Sequence, residues 1–291
     1  MSARLVGQIA IAGIVALGGA ALDRDVRGQA APTSAAKPTA AQTSEAKAWT
    51  PPRTADGQPD FHGYWTEKKG GLMGLYSIED GASEEHALIT GTKATKGQSY
   101  VIDPPDGKIP YQPWSAAVRQ EIKQSYQHPT RPYHIDPVVR CFLEGTRNFY
   151  QSVFQFVQTR DQVVLLFEYQ HAYRVIPLDT HPHIAEPIKL YMGDSRGHWE
   201  GNTLVVDVTN NNDQTWFDLV GSFHSDAMRI TERYTMTGPN AMRLEATFTD
   251  PQVFTRPWTM AVSFERNAMP GFELLEDACH EGERDAAHIL K

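Results

Sequence analysis

Between Arg229 and Glu265 the chain alternates with period two in three successive runs. Ile230, Glu232, Tyr234 and Met236 share one face, opposite Arg229, Thr231, Arg233 and Thr235. After the Gly238-Pro239-Asn240 turn, Leu244, Ala246 and Phe248 oppose Arg243, Glu245 and Thr247. After Asp250-Pro251, Trp258, Met260, Val262 and Phe264 oppose Thr259, Ala261, Ser263 and Glu265. Side chains of a strand point alternately to its two faces, so each run reads as a strand with one wet and one dry side. Three such strands joined by short turns form a meander that curls into a barrel or a strongly bent sheet.

The preceding segment extends the pattern. Ser152 to Gln158 and Gln162 to Gln170 flank a Thr159-Arg160-Asp161 hairpin signal, and Tyr173 to Leu178 and Ile188 to Met192 read as further strands. His198-Trp199-Glu200, Gly201-Asn202 and Thr203 to Thr209 make a hairpin with a two-residue connection. Residues 49–112 are broken by Pro and Gly turn signals, with one short strand at Gly63 to Glu67. Residues 113–127 predict the one good helix, with Pro113 in the first turn and Trp114, Val118, Ile122 and Tyr126 at i, i+4 spacing. The expected fold is mainly β: an antiparallel, barrel-like sheet with one helix and a long irregular N-terminal wrap.

Ahead of this domain, Arg4 and the uncharged run Leu5 to Leu22 read as a secretory signal within residues 1–30. Glycines and a glutamine interrupt the run and no basic cluster follows it, which argues against a stable membrane anchor. Residues 31–48 have the composition of a flexible linker, leaving a single β-rich domain over residues 49–291. The expected location is periplasmic or secreted. There, Cys141 and Cys279, the only cysteines, favour one disulfide over a reactive thiol beside His280. The net charge of −8 and the lack of a Lys/Arg run give nucleic acid no electrostatic footing. No dinucleotide fingerprint, P-loop or Gly-x-Ser-x-Gly motif appears.

The segments Trp49 to Arg53, Gly57 to Asp60, Gly193 to Gly201 and Ala278 to Gly282, with Asp250-Pro251 and Arg256 to Thr259, resemble a large group of secreted bacterial proteins. That resemblance implies a secreted single domain with the Gly-Asp-Ser-Arg-Gly and Cys-His-Glu-Gly segments as hallmarks, and almost nothing about a reaction. Gly63-Tyr64-Trp65 at a strand start is similar to the lipocalin-like (calycin) barrels, which implies a Trp packed across the barrel's closed end. Asp60 to Trp65 also echoes Asp194 to Trp199.

The densest polar set is Asp194, Arg196, His198 and Glu200, which in an extended segment share one face. Two carboxylates, a guanidinium and an imidazole can form an acid–base set with an oxyanion partner, or a solvated strand edge. Glu232 lies on an apolar strand face, so it is either paired to a buried Arg or an acid of raised pKa. His280 and Glu281 follow Cys279, where a disulfide would hold an acid or base in place. In the leading reading, a secreted lyase, isomerase or hydrolase acts on a small organic molecule without an organic cofactor. Glu232 or His198 takes a proton, Arg196 stabilises negative charge, and Glu200, Asp194 or Glu281 orients the histidine. Two alternatives stay open. One is a non-catalytic barrel holding an apolar ligand among aromatic strand residues. The other is a metal-dependent hydrolase using His181 and His183, although no metal-ligand motif is present.

Overall fold

The computed structural model describes residues 49–68, 77–79, 99–126, 128–147 and 153–277. All belong to the second of the chain's two compact units, Ala48–Lys291. The signal segment, the linker, Cys279, His280 and Glu281 lie outside the described residues.

Ten strands form one antiparallel sheet: β1 Gly63–Glu67, β2 Val101–Asp103, β3 Phe154–Gln158, β4 Gln162–Phe167, β5 Tyr173–Pro177, β6 Asp194–Glu200, β7 Thr203–Thr209, β8 Arg229–Gly238, β9 Ala241–Thr249 and β10 Trp258–Arg266. Their order is β5-β4-β3-β1-β10-β9-β8-β7-β6, with β2 pairing β10 off this path. Nine strands thus curl into a nearly closed barrel whose free edges, β5 and β6, face each other. The helix α1, Pro113–Ser125, lies outside the sheet. Among the described residues the expected mainly β barrel with one α-helix is the fold found.

The period-two runs explain the ladder. On β8, β9 and β10 the buried residues alternate strictly, so one face of each strand is core and the other meets water. A register slip of one residue would invert every side chain, which fixes Ile230 opposite Phe248 and Trp258 opposite Phe248. Of the aromatics expected on the apolar strand faces, Phe154, Phe156, Phe167, Tyr234, Phe248, Trp258 and Phe264 are buried in the interior, while Tyr169 is only partly buried. The buried rings meet edge-on or stacked, as for Phe154 on Phe264 and Phe248 on Trp258. They are core.

The Gly63-Tyr64-Trp65 segment works as a clamp between the first and last strands. Trp65 is fully buried, its indole N–H donates to the Phe61 carbonyl at 2.9 Å, and the Arg266 guanidinium lies 4.5 Å above its ring. Arg266 also donates to the His62 carbonyl. Gly63 has φ +117°, and a Cβ there would stand 2.7 Å from that guanidinium, so the position requires glycine. The two echoing segments meet where Phe61 packs edge-on against Trp199 at 5.3 Å.

Two details depart from expectation. Residues 188–192 are not a strand: Leu190 makes one isolated parallel bridge to Asn211, and the chain turns through Gly193 at φ +65°. Pro187 before the segment and Gly193 after it leave no room for a ladder. On α1 the buried positions are Ser115 and Ile122, while Trp114 stays half exposed, with its N–H on the Gln252 carbonyl at 3.1 Å. Ser115 takes the inward place because its hydroxyl is satisfied by the Val253 carbonyl at 2.7 Å.

β5 and β6 share no backbone ladder, so the seam is sealed by side chains. Arg174 of β5 turns inward, its Nη1 donating to both Glu232 oxygens at 3.0 and 2.8 Å and its Nε to Ser195 Oγ on β6 at 2.7 Å. The Tyr234 hydroxyl adds a hydrogen bond to Glu232 at 3.2 Å. Burial pushes the Glu232 carboxyl up, and Arg174 pulls it back toward the ionised form. At Gly197 a Cβ would come within 2.7 Å of Ile176, so only glycine lets β5 lie this close to β6.

A second buried cation, Arg147, donates to Asp136 at 3.2 and 3.0 Å and to Glu144 at 3.1 Å. Burial raises the Glu144 carboxyl to about 7, with Arg147 opposing.

Two predictions follow from these networks. Glu232→Gln should cost roughly 3–5 kcal/mol in chemical denaturation, because it leaves Arg174 without a counter-charge, whereas Arg174→Met with Glu232→Leu should recover most of that loss. A Glu232→Gln protein within 1 kcal/mol of wild type, on the order of an ordinary surface change, would refute the pairing's role. For Glu144, a raised folded-state pKa means the fold binds the proton more tightly than the unfolded chain. Its contribution is greatest below about pH 4.5 and declines by a few kcal/mol toward about pH 7. Glu144→Gln should therefore flatten the fall in stability across that window; an unchanged slope would refute the assignment.

Candidate functional site

β6 shows inside and outside in strict alternation. Ser195 and Gly197 point inward, while Asp194, Arg196, His198 and Glu200 lie on the outer face, as the spacing predicts. The strand then divides them into two groups. His198 and Glu200 form an exposed surface pair at 3.1 Å, and Arg233 of β8 holds the other Glu200 oxygen at 2.8 Å. The Arg233 and His198 hydrogen bonds keep the Glu200 carboxyl below the usual carboxylate range. Glu232 sits on the opposite face of the sheet, fully buried, so the structure does not bring it to His198. A carboxylate sealed inside and held by Arg174 has no path to a substrate on the outer surface.

The other group is more tightly built. Asp194 Oδ2 accepts from the Ile184 N–H at 3.3 Å and lies 2.6 Å from Nδ1 of His183. Nε2 of His183 lies 3.0 Å from Asp207 Oδ2, on the neighbouring strand β7. Asp207 is Arg196's partner in the β6–β7 register. Arg196 places Nη1 3.4 Å from Asp194 Oδ1 and donates Nη2 to the Pro182 carbonyl at 3.2 Å. So Asp194 does orient a histidine, but the histidine is His183 rather than His198, and Arg196 fixes the loop carrying it. His181 points elsewhere, exposed and paired with Asp179 at 2.9 Å. Among the described residues, no group of three His, Cys, Asp or Glu side chains is set to hold a metal ion.

The 178–193 loop is held from below by Asn210, at φ +59°, whose Nδ2 donates to the carbonyls of Ala185 at 3.0 Å and Ile188 at 2.9 Å. Under this loop opens a cleft of about 410 Å3, lined by His183, Glu186, Lys189, Asn210, Asp226 and Arg229 among others. Lys189 is committed to Glu186 at 3.3 Å and to the Asp226 carbonyl at 2.9 Å. The exposed Arg229 makes no ion pair among the described residues. Sequence reading missed Lys189, Asp207 and Arg229 because they come from three separate segments and share no spacing.

No protein-family model matches the chain, and no curated protein matches it. Among solved structures it is similar to crystal structures of the fluorescent protein UnaG, the wild type and two point mutants. They are 13% identical, cover 40% of this chain and 72% of that one, and give a TM-score of 0.24. An overlap so slight carries no argument, and the site stands on its own geometry. The likeness to secreted bacterial proteins remains one of motifs.

Asp194 is thus one of the loop's anchors, beside Asn210 and Arg196. Asp194→Ala should cost about 1–3 kcal/mol, the range for leaving donors without their acceptor. Limited proteolysis should then cut within 178–193 before the barrel unfolds. A variant as resistant as wild type would show that the loop is held otherwise.

Proposed function

We propose that the protein is an exported small-molecule-binding protein whose ligand occupies the cleft beneath the 178–193 loop. The observation that carries this is the cleft itself. Its volume of about 410 Å3 falls in the range of small-ligand sites, and Arg229 brings to it a cation with no counter-ion among the described residues. Asp226 and Glu186 supply acceptors on the other wall. A small polar molecule with an anionic group for Arg229 and a donor for Asp226 is the matching chemistry. Secretion is supported by the Arg4 and Leu5 to Leu22 pattern, and a disulfide of Cys141 with Cys279 by the even count in an oxidising compartment. No cysteine among the described residues is free.

The 2.6 Å contact of Asp194 with His183 favours a second reading, acid–base catalysis on the same ligand. Asp194 fixes Nδ1, and the half-exposed Asp207 can swing away from Nε2, freeing it to take or give a proton at the cleft. In this reading His183, rather than His198 or Glu232, is the base.

Thermal-shift screening against free amino acids and short dicarboxylates tests both. Binding should be lost in Arg229→Gln, by about tenfold or more, the size of a charge-assisted hydrogen bond. If His183 is a base, His183→Gln should keep binding and lose turnover. Absence of any binding to wild type at millimolar ligand, or equal binding by Arg229→Gln, would overturn the site.

A further inference from the structure

A second cleft, of about 500 Å3, shares no lining residue with the first and lies among Tyr133, Arg140, Phe142, Asp213, Gln214 and Trp216. Arg140 closes the short 3-10 turn Pro137–Arg140, and the next residue, Cys141, adopts the left-handed conformation at φ +57°. The turn sets the guanidinium flat over the Phe142 ring, 4.7 Å from its centroid. Phe142 is backed in turn by Tyr191 at 5.7 Å.

The guanidinium is poorly served by the protein. Its Nε is buried with no hydrogen-bond partner among the described residues. Asp136, the buried carboxylate whose charge acts on Arg140, already gives both oxygens to Arg147. No ion pair of Arg140 occurs among the described residues, and Asp213, the one carboxylate lining the cleft, stands exposed at its rim. Burial depresses the guanidinium pKa, the sign of a cation short of compensation. A buried donor left unmade carries a desolvation cost that an external acceptor would recover.

We infer that this cleft binds an aromatic carboxylate, its carboxylate on the Arg140 guanidinium and its ring between Tyr133 and Trp216. Arginine offers the planar fork that takes a carboxylate through two parallel hydrogen bonds. Aromatic and proline walls supply the flat apolar contact, since Pro132 and Pro137 complete the lining. The ligand differs in class from the small polar molecule assigned to the other cleft.

The test uses 2-naphthoate and its neutral analogue 2-naphthamide with the purified protein, by calorimetry and tryptophan fluorescence. Naphthoate should bind wild type, bind Arg140→Gln about tenfold more weakly, and bind Arg229→Gln unchanged. Naphthamide should bind wild type as weakly as naphthoate binds Arg140→Gln, a comparison that needs no folded variant. The inference fails if naphthoate shows no affinity for wild type at several millimolar, on the order of a non-specific contact. It fails equally if naphthamide binds as well as naphthoate, or if the loss appears in Arg229→Gln instead.

Discussion

The Arg174–Glu232 pair is the interaction on which the barrel depends. A nine-strand sheet can close by a continuous ladder or by side chains, and here the last edge is left to side chains. Arg174 starts on β5, reaches Ser195 on β6 and ends on Glu232 of β8, so one guanidinium ties three strands together from inside. The cost of burying two charges is offset because Nη1 reaches both Glu232 oxygens and the Tyr234 hydroxyl adds a second donor to Oε2. Closure by charge also demands a close approach, which Gly197 permits by having no side chain to strike Ile176.

The same seam explains why Gly193 to Gly197 is so dense in special residues. Gly193 turns the chain at φ +65°, where a Cβ would meet Val208 at 2.6 Å. Asp194 and Arg196 face out and tie down the incoming loop. Ser195 and Gly197 face in and complete the closure. One five-residue run therefore serves the barrel with one parity and the loop with the other, and the cleft beneath that loop is a by-product of sealing the sheet.

Much of this was legible before any coordinates. The meander from Arg229 to Glu265 follows from alternation alone, and the inward Glu232 left two readings open, a buried arginine partner or an acid of raised pKa, of which Arg174 is the first. The partner's identity was hidden because β5 reads in the wrong phase: the apolar Tyr173 and Val175 face water, and Arg174 is buried between them. Five residues give too short a pattern to fix which parity is dry. Alternation also placed Asp194, Arg196, His198 and Glu200 on one face but could not say that the face looks outward, away from Glu232. His183 pairs with Asp194 across a loop, and loops have no period from which such a contact can be read.

The attachment of β3, β4 and β5 is uneven. Their own ladders are complete, yet among the described residues their only backbone ladder to the rest is Gly63–Trp65 against Phe154–Phe156, the other ties being side-chain contacts such as Phe154 on Phe264 and Arg174 on Glu232. β8, β9 and β10, by contrast, pair along nearly their whole lengths. The three-strand sheet is thus the part of the barrel with the fewest backbone ties to the rest, and amide hydrogens of β4 and β5 should exchange before those of β9.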